Sequence, residues 1–170
     1  MKITKRIWAL LLAAVMIFAL SGCNKKVLDA DDFEDVLDDF DYEVNTVDDD
    51  YLKKHEEEKI IAYDDDDYVA YFIEFDEEED AIDEYEDVLD DIKDAKEDND
   101  YEGSIQTSKS GNYNKCVIKG EFDEQVGQFP EGNIYAVMYR IDNIGFIVLA
   151  LDNDARDVKE VNAIVKELGY

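Results

Sequence analysis

Four consecutive aspartates, Asp64, Asp65, Asp66 and Asp67, form the densest set of potential ligands in this chain. Carboxylate oxygens suit hard cations such as calcium, which takes six to eight oxygens from a shaped cage. Adjacent exposed residues on one turn cannot all converge on a single ion, so the run reads first as diffuse cation attraction. The stretch from Asp98 to Gly103 comes closer to a cage. It places Asp98, Asp100 and Glu102 at positions one, three and five of a twelve-residue calcium loop, with glycine at six. That loop needs a bidentate glutamate at position twelve, where this chain has Lys109. The six aspartates Asp64 to Asp67, Asp98 and Asp100 are therefore the candidate metal ligands, and a cation-responsive surface protein is the alternative functional reading.

Groups for catalysis are sparse. His55 is the only histidine and lies in "LKKHEEEK", polar on every side, so it reads as a surface residue without a nucleophile beside it. Carboxylates are so many that no acid–base pair stands out, and no phosphate-cradling glycine loop or serine elbow occurs. Cys116 alternates with polar neighbours in "NKCVIKGEF" and reads as an inward-facing strand residue, not a nucleophile. The chain reads as no enzyme, with no cofactor. Tyr63, Tyr68 and Tyr71 around the aspartate run are candidate stacking surfaces for a glycan or peptide, although alternating tyrosines on strands commonly serve as half-buried packing.

The elements that must hold these residues follow from periodicity. Phe33, Val36, Leu37 and Phe40 form a helical stripe behind a cap at Asp29. "YEVNTV" reads as a short strand, and "DDDYLKKHEEE" as a loop or a marginal helical turn. "KIIAY" and "YVAYFIEF" flank the aspartates as a hairpin with an acidic tip, and the second strand is apolar on both faces. Ala81, Ile82, Tyr85, Val88, Leu89, Ile92 and Ala95 predict a long helix ending near "EDND". A weak strand around "SIQTS", a Ser-Gly-Asn turn and the Cys116 strand come next, with a turn expected at "FPEG". "NIYAVMYRI" and "IGFIVLAL" join through Asp142-Asn143 as a tight hairpin. A last helix, capped at Asn153 or Asp154, stops at Gly169. Short hairpin connections imply one α+β domain: an antiparallel sheet of about five to seven strands packed with three helices.

The N-terminus supplies an address. Lys2, Lys5 and Arg6 precede the apolar run Ala9 to Leu20, which has the length of an export-signal core and is short for a membrane span. Leu20-Ser21-Gly22-Cys23 resembles the lipobox of bacterial lipoproteins. The resemblance implies cleavage between Gly22 and Cys23, acylation of Cys23, and a lipid-anchored chain on the outer face of the cell membrane. Residues 1–22 are then the signal, 23–27 the anchor and tether, and 28–170 the acidic domain. Two or more acyl chains, at about 0.8 kcal/mol per buried methylene, make such an anchor durable. With Cys23 acylated, Cys116 has no disulfide partner.

The charge narrows the partners. Forty-six acids against 17 basic residues give a net charge of −29. Loss of the leader would remove three cations and no acid. Such a domain is unsuited to nucleic acid, whose binding depends on neutralising phosphates with Lys and Arg. The expected role is a binding or interaction module for a basic protein, a peptide or an envelope component. The stretches "DADDFEDVLDDFDYEV", "GNYNK", "YRIDN" and "KELGY" also resemble a group of small clostridial-type lipoproteins. That group has a glycine where this chain has Asp41. No ligand residues are established in it, so none is carried over.

Overall fold

The computed structural model describes residues 25–64 and 67–170. Among these residues three α-helices and seven strands follow in the order α1 (Ala30–Asp39), β1 (Glu43–Thr46), β2 (Glu56–Asp64), β3 (Tyr68–Phe75), α2 (Glu78–Asp98), β4 (Tyr101–Ser110), β5 (Tyr113–Phe122), β6 (Gly132–Ile141), β7 (Ile144–Ala150) and α3 (Ala155–Glu167). The strands form one antiparallel sheet in the order β1-β2-β3-β7-β6-β5-β4. The α+β reading holds. The segment "DDDYLKKHEEE" resolves into a 3-10 turn at Asp49–Tyr51 followed by the start of β2.

Several helix ends are fixed by local contacts, although α2 starts after Glu77 without a side-chain cap. Asp29 caps α1 by accepting the Asp32 N–H at 2.8 Å, and Asp154 caps α3 by accepting from Arg156 and Asp157. These side chains satisfy donors that a helix start leaves unpaired. Asp41 closes α1 at φ 63°, while the Tyr42 N–H reaches back to the Leu37 carbonyl. This is the left-handed conformation that glycine adopts most readily and aspartate tolerates. Asn99 ends α2 in the same way at φ 69°.

Helices α1 and α3 lie on one face of the sheet, and α2 lies on the other. On the first face, Phe33 of α1 is fully buried against Phe72 of β3 and Phe146 of β7, with ring centroids 5.3 and 6.3 Å apart. Val161, Ile164 and Val165 of α3 join the same core. On the second face, Tyr85, Ile92 and Ala95 of α2 meet Ile118, Ile134, Ala136 and Leu149. Cys116 belongs to this second core and is fully buried as a free thiol.

One local expectation needs correction, and another is met by a longer element. The tight turn before β6 is not at "FPEG" but three residues upstream, where Val126 and Phe129 exchange both backbone hydrogen bonds at 2.9 Å around Gly127-Gln128. Gly127 supplies the positive φ, at 56°, and Pro130 follows in the exit. The strand at "SIQTS" is ten residues long, because every residue of β4 pairs in register with β5. Gly103 and Gly120 face each other there, and a Cβ on either would come within 2.4 Å of a carbonyl on the opposite strand.

Phe33→Ala empties the centre of the first core, so we expect a loss of about 3–5 kcal/mol in urea unfolding. A loss below about 1 kcal/mol would show that α1 is not keyed into the sheet. Burial raises the Cys116 thiol from 9.0 to about 11. The unfolded chain then gives up that proton first, so this contribution to stability is intact below pH 9 and disappears as pH climbs through 11. Melting curves of the wild type and Cys116→Ala should diverge least at pH 10–11 if this holds, and a constant gap across pH 8–11 would refute it.

Candidate functional site

Helix α2 crosses its face of the sheet diagonally, and buried Arg140 fixes where it starts. Arg140 projects from β6 with 2 % exposure. Its Nη1 donates to Glu78 Oε1 at 2.8 Å and to the Asp142 carbonyl at 3.3 Å, and its Nη2 donates to Asn114 Oδ1 at 3.1 Å. One guanidinium thus ties the first turn of α2 to β5 and to the β6–β7 turn. Its planar fork suits several oriented acceptors better than an ammonium would. At the far end of the helix, Lys96 Nζ donates to the Gly103 carbonyl of β4 at 2.5 Å.

The diagonal leaves a gap on each side of the helix. On the β2–β3 side the gap is an apolar groove of about 300 Å³. Its floor is Ile61, Tyr71, Ile73, Met138 and Ile147, from four strands, and its wall is Ala81, Tyr85 and Val88 of α2. Val69, Tyr71 and Ile73 are only half-buried, because no helix covers this end of the sheet. A groove of this volume is at the small end of natural ligand sites and suits one or two apolar side chains.

The groove rim is charged and balanced. Lys53 Nζ lies 3.9 Å from Glu84 Oε1 of α2. Lys59 Nζ lies 3.4 Å from Glu56 Oε1, and the other oxygen of Glu56 accepts the Lys53 backbone N–H at 2.8 Å. Beyond the rim, the outer face of α2 is acidic: twelve of its 21 residues are Asp or Glu, against two lysines. Burial raises the Tyr71 and Tyr85 phenols, so both present neutral hydroxyls at physiological pH. Ser, Cys and His do not occur among the described groove residues, so nothing there assembles a nucleophile and its base.

The three tyrosines singled out from the sequence do not form one surface. Tyr63 and Tyr71 share the α2 face, Tyr63 exposed beyond the end of the groove and Tyr71 on its floor. Tyr68 points to the opposite face, is 5 % exposed, and donates its hydroxyl to Asp157 Oδ1 at 2.6 Å. Burial first, then this carboxylate, raises its pKa. Asp157 is itself buried and also receives Arg156 Nε at 3.1 Å.

The candidate metal ligands are dispersed. Asp64 ends β2, Asp67 lies 3.9 Å from Arg156, and Asp65 and Asp66 lie outside the described residues. Asp98 is the last residue of α2, Asp100 follows its left-handed cap, and Glu102 and Gly103 are already in β4. The segment is a helix end running into a strand, so it does not close as a calcium loop. Among the described residues no group of three or more His, Cys, Asp or Glu side chains is gathered to hold an ion. His55 is exposed at φ 75°, with Nδ1 3.6 Å from Asp76 and 3.8 Å from Asp80. Gly22 and Cys23, the proposed cleavage and lipidation positions, lie outside the described residues.

The groove was missed from sequence, although the odd-numbered apolar residues of β3 signalled a second face in need of cover. Lys53, Lys59 and Glu84 carry no motif at all. No protein-family model, no curated protein and no solved structure matches this chain.

Proposed function

We propose that this chain is a lipid-anchored binding module on the outer face of the cell membrane, and that the α2 groove takes apolar side chains of a cationic peptide segment. The observation that carries this reading is the junction of an apolar groove with an acidic helix. The half-open floor of Ile61, Tyr71 and Ile73 gives affinity through burial, at roughly 25 cal/mol per Å² of apolar surface covered. The acids of α2 hold the cations that flank those side chains and raise the encounter rate. An anionic ligand is disfavoured, because each rim lysine already has a carboxylate and the surrounding field is strongly negative. Binding of this kind is helix- or strand-in-groove recognition and needs no chemistry.

The fold also suits the address. The described chain starts at Lys25, whose backbone N–H donates to Asn112 Oδ1 at 3.0 Å beside the β4–β5 turn. The acidic β2–β3 tip is at the other end of the strands, because Asp64 pairs with Tyr68 and Tyr68 with Ala150. A chain held by Cys23 therefore carries this tip some 25 Å farther from the bilayer, the length of about eight strand residues. Repulsion from anionic headgroups favours the same orientation.

Titration calorimetry with two synthetic peptides tests the groove, one alternating Lys and Leu and one of Lys alone with the same charge. We expect the Lys–Leu peptide to bind at least tenfold more tightly, about 1.4 kcal/mol, and Ile73→Glu to erase that difference. Equal affinity for both peptides, lost at moderate salt, would reduce the acids to a solvating shell. Intact-mass analysis of the polypeptide recovered from native membranes tests the address. It should begin at Cys23 and carry at least two acyl chains; a retained Met1–Gly22 segment or a bare Cys23 overturns the anchor.

A further inference from the structure

Strand β4 is one edge of the sheet, and among the described residues no strand pairs with its outer side. It is ten residues long, pairs with β5 without a register break and contains no proline. Protein edges of this length are ordinarily blunted by charge, bulges or a covering element, since an unpaired row of N–H and C=O groups invites another strand. Here only one end is sealed. Lys96 donates to the outward Gly103 carbonyl, while the Tyr101 ring lies over the Gly103–Gly120 pair on the sheet face, its hydroxyl donating to the Ser104 carbonyl at 3.0 Å. Apart from Ile105, which is half-buried, residues 104–110 are exposed.

The turn geometry says which groups face outward. Ser110 and Tyr113 flank the two-residue turn Gly111-Asn112, with Gly111 at φ 55°. They are the hydrogen-bonded closing pair of such a hairpin, so the even residues of β4 direct their main-chain groups to β5. The N–H and C=O of Ile105, Thr107 and Lys109 then point away from the sheet. Lys96 reaching the carbonyl of Gly103, another odd residue, fits the same alternation.

Charge distribution selects the occupant. In a chain with 46 acids, residues 103–120 contain none and carry Lys109, Lys115 and Lys119. This is the one long stretch of the domain where two copies with net charge −29 can approach without carboxylate facing carboxylate. Glu102 and Glu121 stand at the far end of the β4–β5 ribbon, and Glu86 and Asp90 of α2 border Thr107–Lys109, where screening over about 8 Å at physiological salt weakens the repulsion between copies. We propose that β4 is the seam of a two-fold dimer, in which two copies of this chain pair their β4 strands antiparallel and extend the sheet across both.

A two-fold axis perpendicular to the sheet must place residues of equal parity opposite each other. Centred on the open stretch, it sets Gln106 against Gln106 of the second copy and Ile105 against Thr107. The outward N–H of Ile105 donates to the Thr107 carbonyl of the other copy, and the reverse. Gln106 falls at a non-hydrogen-bonded pair, where Cα atoms approach to about 4.5 Å. A cysteine at that position is therefore within disulfide reach of its symmetry mate. A seam this short belongs to the weak class of interfaces.

Sedimentation of the full chain in detergent, together with two variants, tests the seam. We expect a monomer–dimer equilibrium, a disulfide-linked dimer from Gln106→Cys under mild oxidation, and no such dimer from the wild type or from Asn45→Cys on the opposite edge. Thr107→Pro removes one outward N–H and leaves the β5 ladder intact, so dimerisation should weaken at least tenfold while the melting temperature stays near that of the wild type. A monomer at all concentrations up to about 100 µM, or a dimer indifferent to Thr107→Pro with no Gln106→Cys cross-link, overturns the proposal. Both outcomes leave the groove and its peptides untouched.

Discussion

A helix about 10 Å across covers roughly two strands spaced 4.8 Å apart. Seven strands present two faces, and this domain has three helices with which to cover them. That shortage of cover governs most of what is distinctive in the structure. Where the helices lie, β6 and β7 are buried on both sides, which explains their nearly unbroken apolar sequence. Where no helix lies, the chain either turns polar, as in the Ser, Thr and Gln of β4, or stays apolar and half-exposed, as in Ile61, Tyr71 and Ile73. The first solution leaves an edge and the second leaves a groove.

Position along the diagonal matters as much as coverage. Among the described residues Arg140 is the only buried cation, and it works through geometry more than through charge. Its acceptors come from α2, β5 and the β6–β7 turn, so moving it would release the start of α2 and change the width of the groove. Glu78, its one anionic partner, is largely exposed, which limits the Coulombic contribution of that pair. The neutral acceptors restrain the guanidinium from the buried side. Elsewhere the many acids remain tolerable because they sit on solvated helix faces, loop tips and strand ends, where water and salt weaken their repulsion.

Much of this architecture was written in local pattern. The three helices showed their stripes, from Phe33–Leu37 to Val161–Ile164–Val165, and their caps at Asp29 and Asp154 fell where short acceptor side chains precede apolar periodicity. The hairpins at Asp142-Asn143 and around the aspartates were equally plain. Parity alone separates Tyr68 from Tyr71, since residues three apart on a strand point to opposite faces. The groove was not legible, because Ile61, Ala81 and Met138 meet only through pairings across four strands and the angle of one helix. The turn before β6 was misplaced because Pro130 is the louder signal, whereas Gly127 alone can take the left-handed backbone that the reversal requires.

Both ends of the described chain converge on one spot. The Asn112 side chain holds Lys25 through its backbone N–H and its carbonyl, Lys25 Nζ donates to the Gly169 carbonyl at 3.0 Å, and the Tyr170 hydroxyl donates to the Lys26 carbonyl. Tension applied through whatever precedes residue 25 is thus shared at once between the β4–β5 turn and the C-terminal residues, before it can unwind α1. Any pull from the N-terminal side is met by hydrogen bonds to two distant parts of the chain, and a tag fused after Tyr170 would adjoin the same contacts.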